Sequence, residues 1–415
     1  MAAKHYLIPD YILNFKCAMC TECCKRWRID IDKKTVDKYE QYAAADQEFA
    51  ALVENNLKKN KDGRAFIQLK QRDKTAITEV EGEKKEITVQ EARVCPFLDE
   101  EGFCAIQRKF GIEALSDTCK IFPRNIAFTE RGYEMAFTYA CAAAANTLKK
   151  KEPVEFYMDP QGFDFPTLNG HLTKIGDVLE RKKAGKTSYF EVEELLIDIM
   201  QFREMDVDTR LILAGIVVDK LKDGDTAGIR KYLQNLDETL IDQLKNIPSQ
   251  PLFMMKLVKE AVDKRILGGI TESNLSKLIA LSYIQLKLLD EAIISNAKVE
   301  SLLENYNKYY KPYVSGISHI YENYFVNFIF SKKFYTHKYM DAFFLMIFFY
   351  TLIRFFTICS CMAEERNVDE DMVVGVINAI ERSIGHNSSF YEDVLKKIKQ
   401  GDYHRLPYVL SLINL

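Results

Sequence analysis

Glycine and proline are scarce, at 18 and 10 in 415 residues, where average usage would give roughly 50 of the two together. A chain short of both has few tight turns and reads as mostly helical. There is no excess of either charge: 57 basic side chains face 60 acidic ones, a net charge of −3, which excludes a nucleic-acid binder working by bulk charge. The opening MAAKHYLIPDYILNFK lacks a basic start, an apolar run and a small-residue cleavage site, so no signal peptide is read. The longest uncharged apolar stretch, Ala342–Ile353 between Asp341 and Arg354, falls short of the ~20 residues a membrane span needs. It reads as a helix buried on all sides, with no membrane span, and the protein is expected to be soluble and cytoplasmic. No two glycines stand at i and i+2, so the Gly-rich turn of a doubly wound nucleotide-binding fold is missing, as is a P-loop.

With 47% hydrophobic and 28% charged residues, the chain is globular. Its first 150 residues hold the strand and turn signals. Glu79–Val94 alternates in patches, and Asn125–Tyr139 reads as a hairpin about Arg131-Gly132. Thr35–Lys58 has helical spacing. After about Asp177, apolar residues recur every three or four positions, as at Val192, Leu195, Leu196 and Met200, at Leu211–Leu221 and at Leu275–Leu288. Asp206, Asp208, Thr271 and Asp369 stand where N-caps are expected. The expected fold is mainly α: a small N-terminal cysteine-rich α+β metal-binding domain (1–150), a linker (151–186) and a large all-helical domain (187–415).

Eight of the ten cysteines lie early: Cys17, Cys20, Cys23, Cys24, Cys95, Cys104, Cys119 and Cys141. Cys359 and Cys361 follow the apolar helix and read as core residues. Four cysteines within eight residues, the first three with two residues between neighbours, suit the wrapping of one soft cation by thiolates. A reducing compartment disfavours a disulfide framework. The six histidines (5, 171, 319, 337, 386 and 404) all lie outside the span from Cys17 to Cys141, which favours an all-sulfur site, iron–sulfur or four-thiolate zinc. Eight thiols suffice for two such sites, or for one cluster with bystanders. Adjacent Cys23 and Cys24 have diverging side chains, so one of them is expected to serve elsewhere. The Cys-x3-Cys-x2-Cys pattern of radical enzymes is absent, since counting on from Cys20 and Cys24 gives Trp27.

The run Phe15-Lys16-Cys17…Cys20…Cys23-Cys24-Lys25-Arg26-Trp27-Arg28-Ile29-Asp30-Ile31-Asp32 resembles the N-terminus of the flagellin lysine N-methylases, within a wider group of cysteine-cluster, zinc- or iron-chelating proteins. Three further stretches agree: Cys95-Pro96-Phe97-Leu98 through Cys104, Leu115-Ser116-Asp117-Thr118-Cys119 through Arg124, and Tyr321-Glu322-Asn323-Tyr324-Phe325-Val326-Asn327-Phe328. Two departures stand out. The first cysteine loop is compact, and Cys141 sits in Ala-Cys-Ala-Ala where the family has a Ser-Cys-Pro-Glu-like stretch.

The resemblance implies transfer of methyl from S-adenosylmethionine to lysine amines of flagellin, with a Cys-ligated metal centre, 4Fe-4S first and zinc as the alternative. The competing reading is a non-catalytic metal-binding or trafficking protein. Amine methylation needs loss of the ammonium proton, in-line placement of nitrogen and methyl carbon, and a site that tolerates sulfonium, which aromatic faces provide. Tyr321, Asn323 and Tyr324 are the catalytic candidates, against the alternative of a tyrosine-lined helix packed in the core. Arg28 and Arg124 are candidates for countering the charge of a thiolate-bound cluster or for holding the cofactor. Asp30 and Asp32 alternate with Ile29 and Ile31, as on a half-exposed strand, and are carboxylates available for acid–base work.

Overall fold

The computed structural model describes the chain except residues 1–4, 14, 26, 81–82, 160–172, 175–188, 222–225, 268–272, 290–293 and 335–337; in 73–80, 83–92, 173–174, 189, 226–227, 265–267 and 273 it describes the backbone only. The protein is mainly α-helical with strands concentrated toward the N-terminus. It forms two compact units. The first comprises Met1–His5, Lys16–Asn125 and Pro160–Leu172; the second comprises Tyr6–Phe15, Ile126–Asp159 and Thr173–Leu415.

This division differs from boundaries at 150 and 187, and strand pairing is the reason. Strand β1 (Tyr6–Pro9) belongs to a five-stranded sheet of the second unit. Much of the expected linker, 160–172 and 175–186, lies outside the described residues.

In the first unit, β2 (Ile29–Ile31), β3 (Leu57–Lys59) and β4 (Ala65–Ile67) form an antiparallel sheet in the order β2-β4-β3. Helices α1 (Lys33–Ala45) and α2 (Gln47–Asn56) connect β2 to β3, as the helical spacing over Thr35–Lys58 predicts. Ile29 and Ile31 are buried while Asp30 between them is exposed, the alternation of a half-buried strand. Asp32 caps α1: its Oδ1 accepts from Thr35 N–H at 2.8 Å and its Oδ2 accepts from the Thr35 hydroxyl at 2.7 Å. Tyr39, Phe49 and Phe97 complete a core on which Ile67, Cys95 and Ile106 also pack. A long ribbon, β5 (Lys70–Val80) with β6 (Glu83–Val94), leads into Cys95.

In the second unit the strand order is β10 (Thr173–Lys174), β7 (Arg124–Thr129), β8 (Gly132–Phe137), β1 and β9 (Phe156–Met158). The predicted hairpin is β7–β8, and Gly132 at its turn has φ +105°, a conformation that favours glycine. Strand β1 runs parallel to β8 and antiparallel to β9, with Ile8 opposite Tyr157. The helices have the apolar periodicity read from the sequence. Asp206 and Asp369 are N-caps, accepting from Thr209 N–H at 2.9 Å and Met372 N–H at 2.8 Å. Asp208 is not a cap. It lies inside the Val207–Lys220 helix, where its carboxylate faces Tyr350 and Arg354. Thr271 lies outside the described residues.

The Tyr339–Glu364 helix is long and apolar enough to cross a membrane by composition, yet 94% of its most apolar stretch is buried inside the protein. It packs on the Val207–Lys220, Ser273–Gln285 and Glu370–Ser383 helices. Cys359 and Cys361 are buried at its C-terminal end, as core residues should be.

Candidate functional site

None of the ten cysteines is in a disulfide. In the first unit, Lys25 and Val94 form an antiparallel bridge, and Cys95 N–H donates to the Cys24 carbonyl at 2.8 Å, so the early cysteine turn lies against the end of β6. The chain then turns through Gly102 (φ +85°), with Asp99 N–H donating to the Phe103 carbonyl at 2.9 Å. Cys104 therefore returns opposite Leu98, at the start of α3 (Ala105–Phe110). Cys119 sits in α4 (Asp117–Ile121), whose cap Ser116 accepts from Cys119 N–H at 3.3 Å. Two contacts fix α4 to β2: Asp117 N–H donates to Asp32 Oδ2 at 3.2 Å, and Thr118 Oγ1 donates to the Asp30 carbonyl at 2.7 Å. Burial pushes the Asp32 carboxyl up, but hydrogen bonds from Thr35 and Asp117 hold it below the usual carboxylate range. Asp32 thus links elements, and Asp30 pairs with Arg28 at the surface, 2.7 Å away.

Five thiols share one neighbourhood. Cys23 and Cys24 Sγ are 4.0 Å apart. The Cys24 thiol is raised by that contact, by burial, and by the charges that Cys23, Cys95 and Cys119 would carry. Burial raises Cys95 and Cys104, and pushes Cys119 up to about 12; Cys23 adds to all three. Cys17 and Cys20 are exposed, ahead of the turn that carries Cys23 and Cys24, and Cys141 belongs to the second unit. Among the described residues, no three His, Cys, Asp or Glu side chains stand arranged to hold a metal ion. In kind and number, the five thiols are a donor set for zinc or an iron–sulfur cluster, and ligation would release the protons that burial holds on them. Arg28 lies at the surface over the Phe66 ring, and Arg124 is half-buried at the start of β7.

The Tyr321–Phe328 stretch lies on the Val314–Ser331 helix of the second unit and is buried throughout. Tyr321 shares a 2.7 Å hydrogen bond with the Tyr310 hydroxyl, and Tyr324 donates to Glu381 at 2.7 Å. Asn323 Nδ2 donates to the carbonyls of Leu148 at 2.9 Å and Lys150 at 2.8 Å. Asn327 donates to the Phe137 carbonyl at 3.1 Å and accepts from the Tyr11 hydroxyl at 2.6 Å. These side chains are therefore engaged in holding the helix to its neighbours. The core alternative describes Tyr321 and Tyr324 as the structure has them.

What Asn323 and Asn327 hold in place is one wall of an open cleft of about 480 Å³, lined by Asp10, Tyr11, Phe15, Lys150 and Tyr157 among others. Asp10 N–H donates to the Glu155 carbonyl at 2.8 Å, and Asp10 Oδ2 meets Lys150 Nζ at 3.0 Å. Sequence reasoning missed this cleft. Its residues come from 10–15 and 146–157, and only the pairing of β1 with β9 brings the two stretches together. Elsewhere in the unit, Glu134 and Glu193 are buried around Lys333 and Arg131, with Arg131 Nε 3.0 Å from Glu134 and Lys333 Nζ 3.8 Å from Glu193. Burial pushes the Glu193 carboxyl up to about 7, with Glu134 adding to the rise against the pull of Lys333 and Arg131.

The helical half of the chain matches a known family. A family model described as the FliB lysine N-methylase C-terminal domain covers residues 193–412. The chain belongs to the FliB lysine N-methylase family. The matched span contains the Tyr321–Phe328 stretch, while the five clustered thiols and the cleft-lining residues precede it. Among curated relatives, the flagellar biosynthetic protein FliU of Salmonella muenchen is 34% identical over 122 residues, which is 28% of this chain and 60% of FliU. The lysine-N-methylases of Salmonella choleraesuis (strain SC-B67) and Salmonella typhimurium (strain LT2) are each 33% identical over 122 residues, 28% of this chain and 25% of theirs. The chain thus spans less than two thirds of the length of each of these relatives. No solved structure matches it.

Proposed function

We propose that this FliB-family chain is a protein lysine N-methyltransferase that transfers methyl groups from S-adenosylmethionine to lysine side chains of flagellin in the cytoplasm. The observation that carries the reading is the family match over residues 193–412. The names of these relatives, a flagellar biosynthetic protein and two lysine-N-methylases, support the flagellar direction.

S-adenosylmethionine, when bound, supplies a methyl group on a positively charged sulfur. The chain's own task is to present a lysine nitrogen free of its proton and in line with that methyl. The nitrogen lone pair forms the new N–C bond, the pair of the broken C–S bond stays on sulfur, and one proton leaves the nitrogen. A carboxylate with aromatic faces around it suits this work, since it orients the ammonium and tolerates positive charge. In the same proposal Cys23, Cys24, Cys95, Cys104 and Cys119 supply the ligands of a structural iron–sulfur centre, with zinc as the alternative. No redox step is needed for an amine that is already a nucleophile.

Mass spectrometry of flagellin co-expressed with this chain tests the reading. Methyl-sized increments on lysine are expected. Unmodified flagellin alongside a metal-loaded protein would favour the non-catalytic metal-binding reading instead.

A further inference from the structure

We propose that the outer edge of β9 takes up an extended segment of the substrate protein as an added strand, with a basic side chain of that segment opposite Glu155. This deepens the methyltransferase reading and rests on it for which protein supplies the segment.

The backbone leaves this edge open. Strand β9 ends the five-stranded sheet, and β1 is its one partner strand among the described residues. Asp10 N–H donates to the Glu155 carbonyl and Asp159 N–H to the Tyr6 carbonyl, each at 2.8 Å. An antiparallel ladder alternates, so Glu155, Tyr157 and Asp159 turn their backbone groups toward β1, and Phe156 and Met158 turn theirs away. Among the described residues, these two outward N–H and two outward carbonyl groups have no partner. Two residues earlier the same edge is closed, because Gln201 Nε2 donates to the Val154 carbonyl at 2.9 Å. Sheet edges are commonly blunted by proline, lysine or a bulge. Phe156-Tyr157-Met158 has none of these, and Tyr157 is 43% and Met158 54% exposed. An edge of this kind accepts a strand from another chain.

Charge decides the occupant. The lysines just before the strand are committed: Lys149 to Asp371, Lys150 to Asp10 and Lys151 to Glu370. Glu152 and Glu155 are exposed, and among the described residues no cation pairs with either carboxylate. The Tyr157 hydroxyl donates to Glu155 but leaves its charge uncompensated. A lysine or arginine directly opposite Glu155 on an added strand forms the cross-strand ion pair that is missing. A second copy of this chain fits worse. To satisfy all four outward groups of each copy, Phe156 must pair with the other copy's Met158, which sets Glu155 opposite the other copy's Asp159. Like charges placed so are destabilising. The strand is also held in place from its other face, where the Phe156 ring lies 4.8 Å from that of Phe330. Three residues offer few hydrogen bonds, which suits a segment that must leave after each turnover.

Binding of purified flagellin to the full-length protein tests the assignment, with hydrogen exchange read at single amides by mass spectrometry. Flagellin is expected to slow exchange at Phe156 and Met158. Met158→Pro removes one outward N–H without touching the ladder to β1, and should weaken binding about tenfold, whereas Met158→Ala keeps that N–H and should bind as the wild type does. Glu155→Lys, at an exposed position, should weaken binding about fivefold and keeps the test open if near-UV circular dichroism shows that Met158→Pro misfolds. Unchanged exchange at Phe156 and Met158, or wild-type affinity in a folded Met158→Pro or Glu155→Lys variant, would overturn the proposal. So would protection of those amides that grows with protein concentration in the absence of flagellin, which would make a second copy the occupant. If the folded variants bind normally while the wild type methylates flagellin, the edge assignment falls and the methyltransferase reading survives. Protection by flagellin without methylation leaves the edge assignment standing and removes the reading.

Discussion

At the scale of single residues, burial separates the early cysteines. Cys95 is 5% exposed within the core of its unit, whereas Cys17 and Cys20 are exposed. Cys95→Ser and Cys119→Ser are therefore expected to abolish bound metal in protein purified anaerobically, and Cys17→Ser to leave most of it, as read by elemental analysis. Retention of metal in the Cys95 variant would break the proposed donor set. Tyr324 offers a second test. Tyr324→Phe leaves the buried Glu381 oxygen without its 2.7 Å donor, so stability should fall by about 1–3 kcal/mol in urea unfolding. If methylation per folded molecule drops far beyond that, the tyrosine has a role in chemistry that its packing does not reveal. Glu193 gives a pH signature. With its folded-state pKa raised to about 7, the native state holds a proton that the unfolded chain releases near 4.5, so stability falls as pH rises from about 4.5 to 7 and then levels. The loss is of order 3 kcal/mol. Glu193→Gln should flatten that window, which urea midpoints at pH 5 and pH 7.5 would show.

At the scale of elements, three asparagines tie helices to the end of β8 and the chain that follows it. Asn323 reaches Leu148 and Lys150, Asn327 reaches Phe137, and Asn378 Nδ2 donates to the Tyr139 carbonyl at 2.7 Å. Asn323→Ala strands two carbonyls and should lower stability by about 2–4 kcal/mol in urea unfolding. The sequence made much of this framework legible. Helical periodicity located the long helices, and Asp206 and Asp369 announced two of their starts by residue type alone. The β7–β8 hairpin was readable because its turn is local. What stayed hidden depends on distant pairing. No period in the sequence records that Tyr6–Pro9 lies beside Phe156–Met158, and the cleft exists only through that pairing. Tyr321–Phe328 is buried throughout, with its asparagines bonded to the carbonyls of Phe137, Leu148 and Lys150 and its tyrosines in the core. Clustering marked the early cysteines as a group, but it did not single out Cys23, Cys24, Cys95, Cys104 and Cys119, three of which lie far along the chain from the others. The exposure of Cys17 and Cys20 was not legible either, because spacing says nothing about which of two neighbouring turns faces inward.

At the scale of the molecule, the second unit is built from three separated stretches, with 16–125 inserted between its first strand and its second. Deleting residues 1–15 removes β1 from between β8 and β9. Such a truncation should lose the cooperative unfolding of the helical unit and the cleft together, and differential scanning calorimetry would show a broadened or missing transition. Unchanged melting would mean that the helices carry the unit without its sheet.

The interrupted strand order also has a consequence during synthesis. When Tyr6–Pro9 leaves the ribosome, neither of its partners exists, and Met158 is the last residue it needs. At roughly 5–20 residues per second, this leaves an unpaired apolar strand waiting on the order of ten seconds, while the thiol-bearing stretch is completed behind it. Nascent chains of this protein should for that interval be clients for whatever holdase shields exposed strand edges.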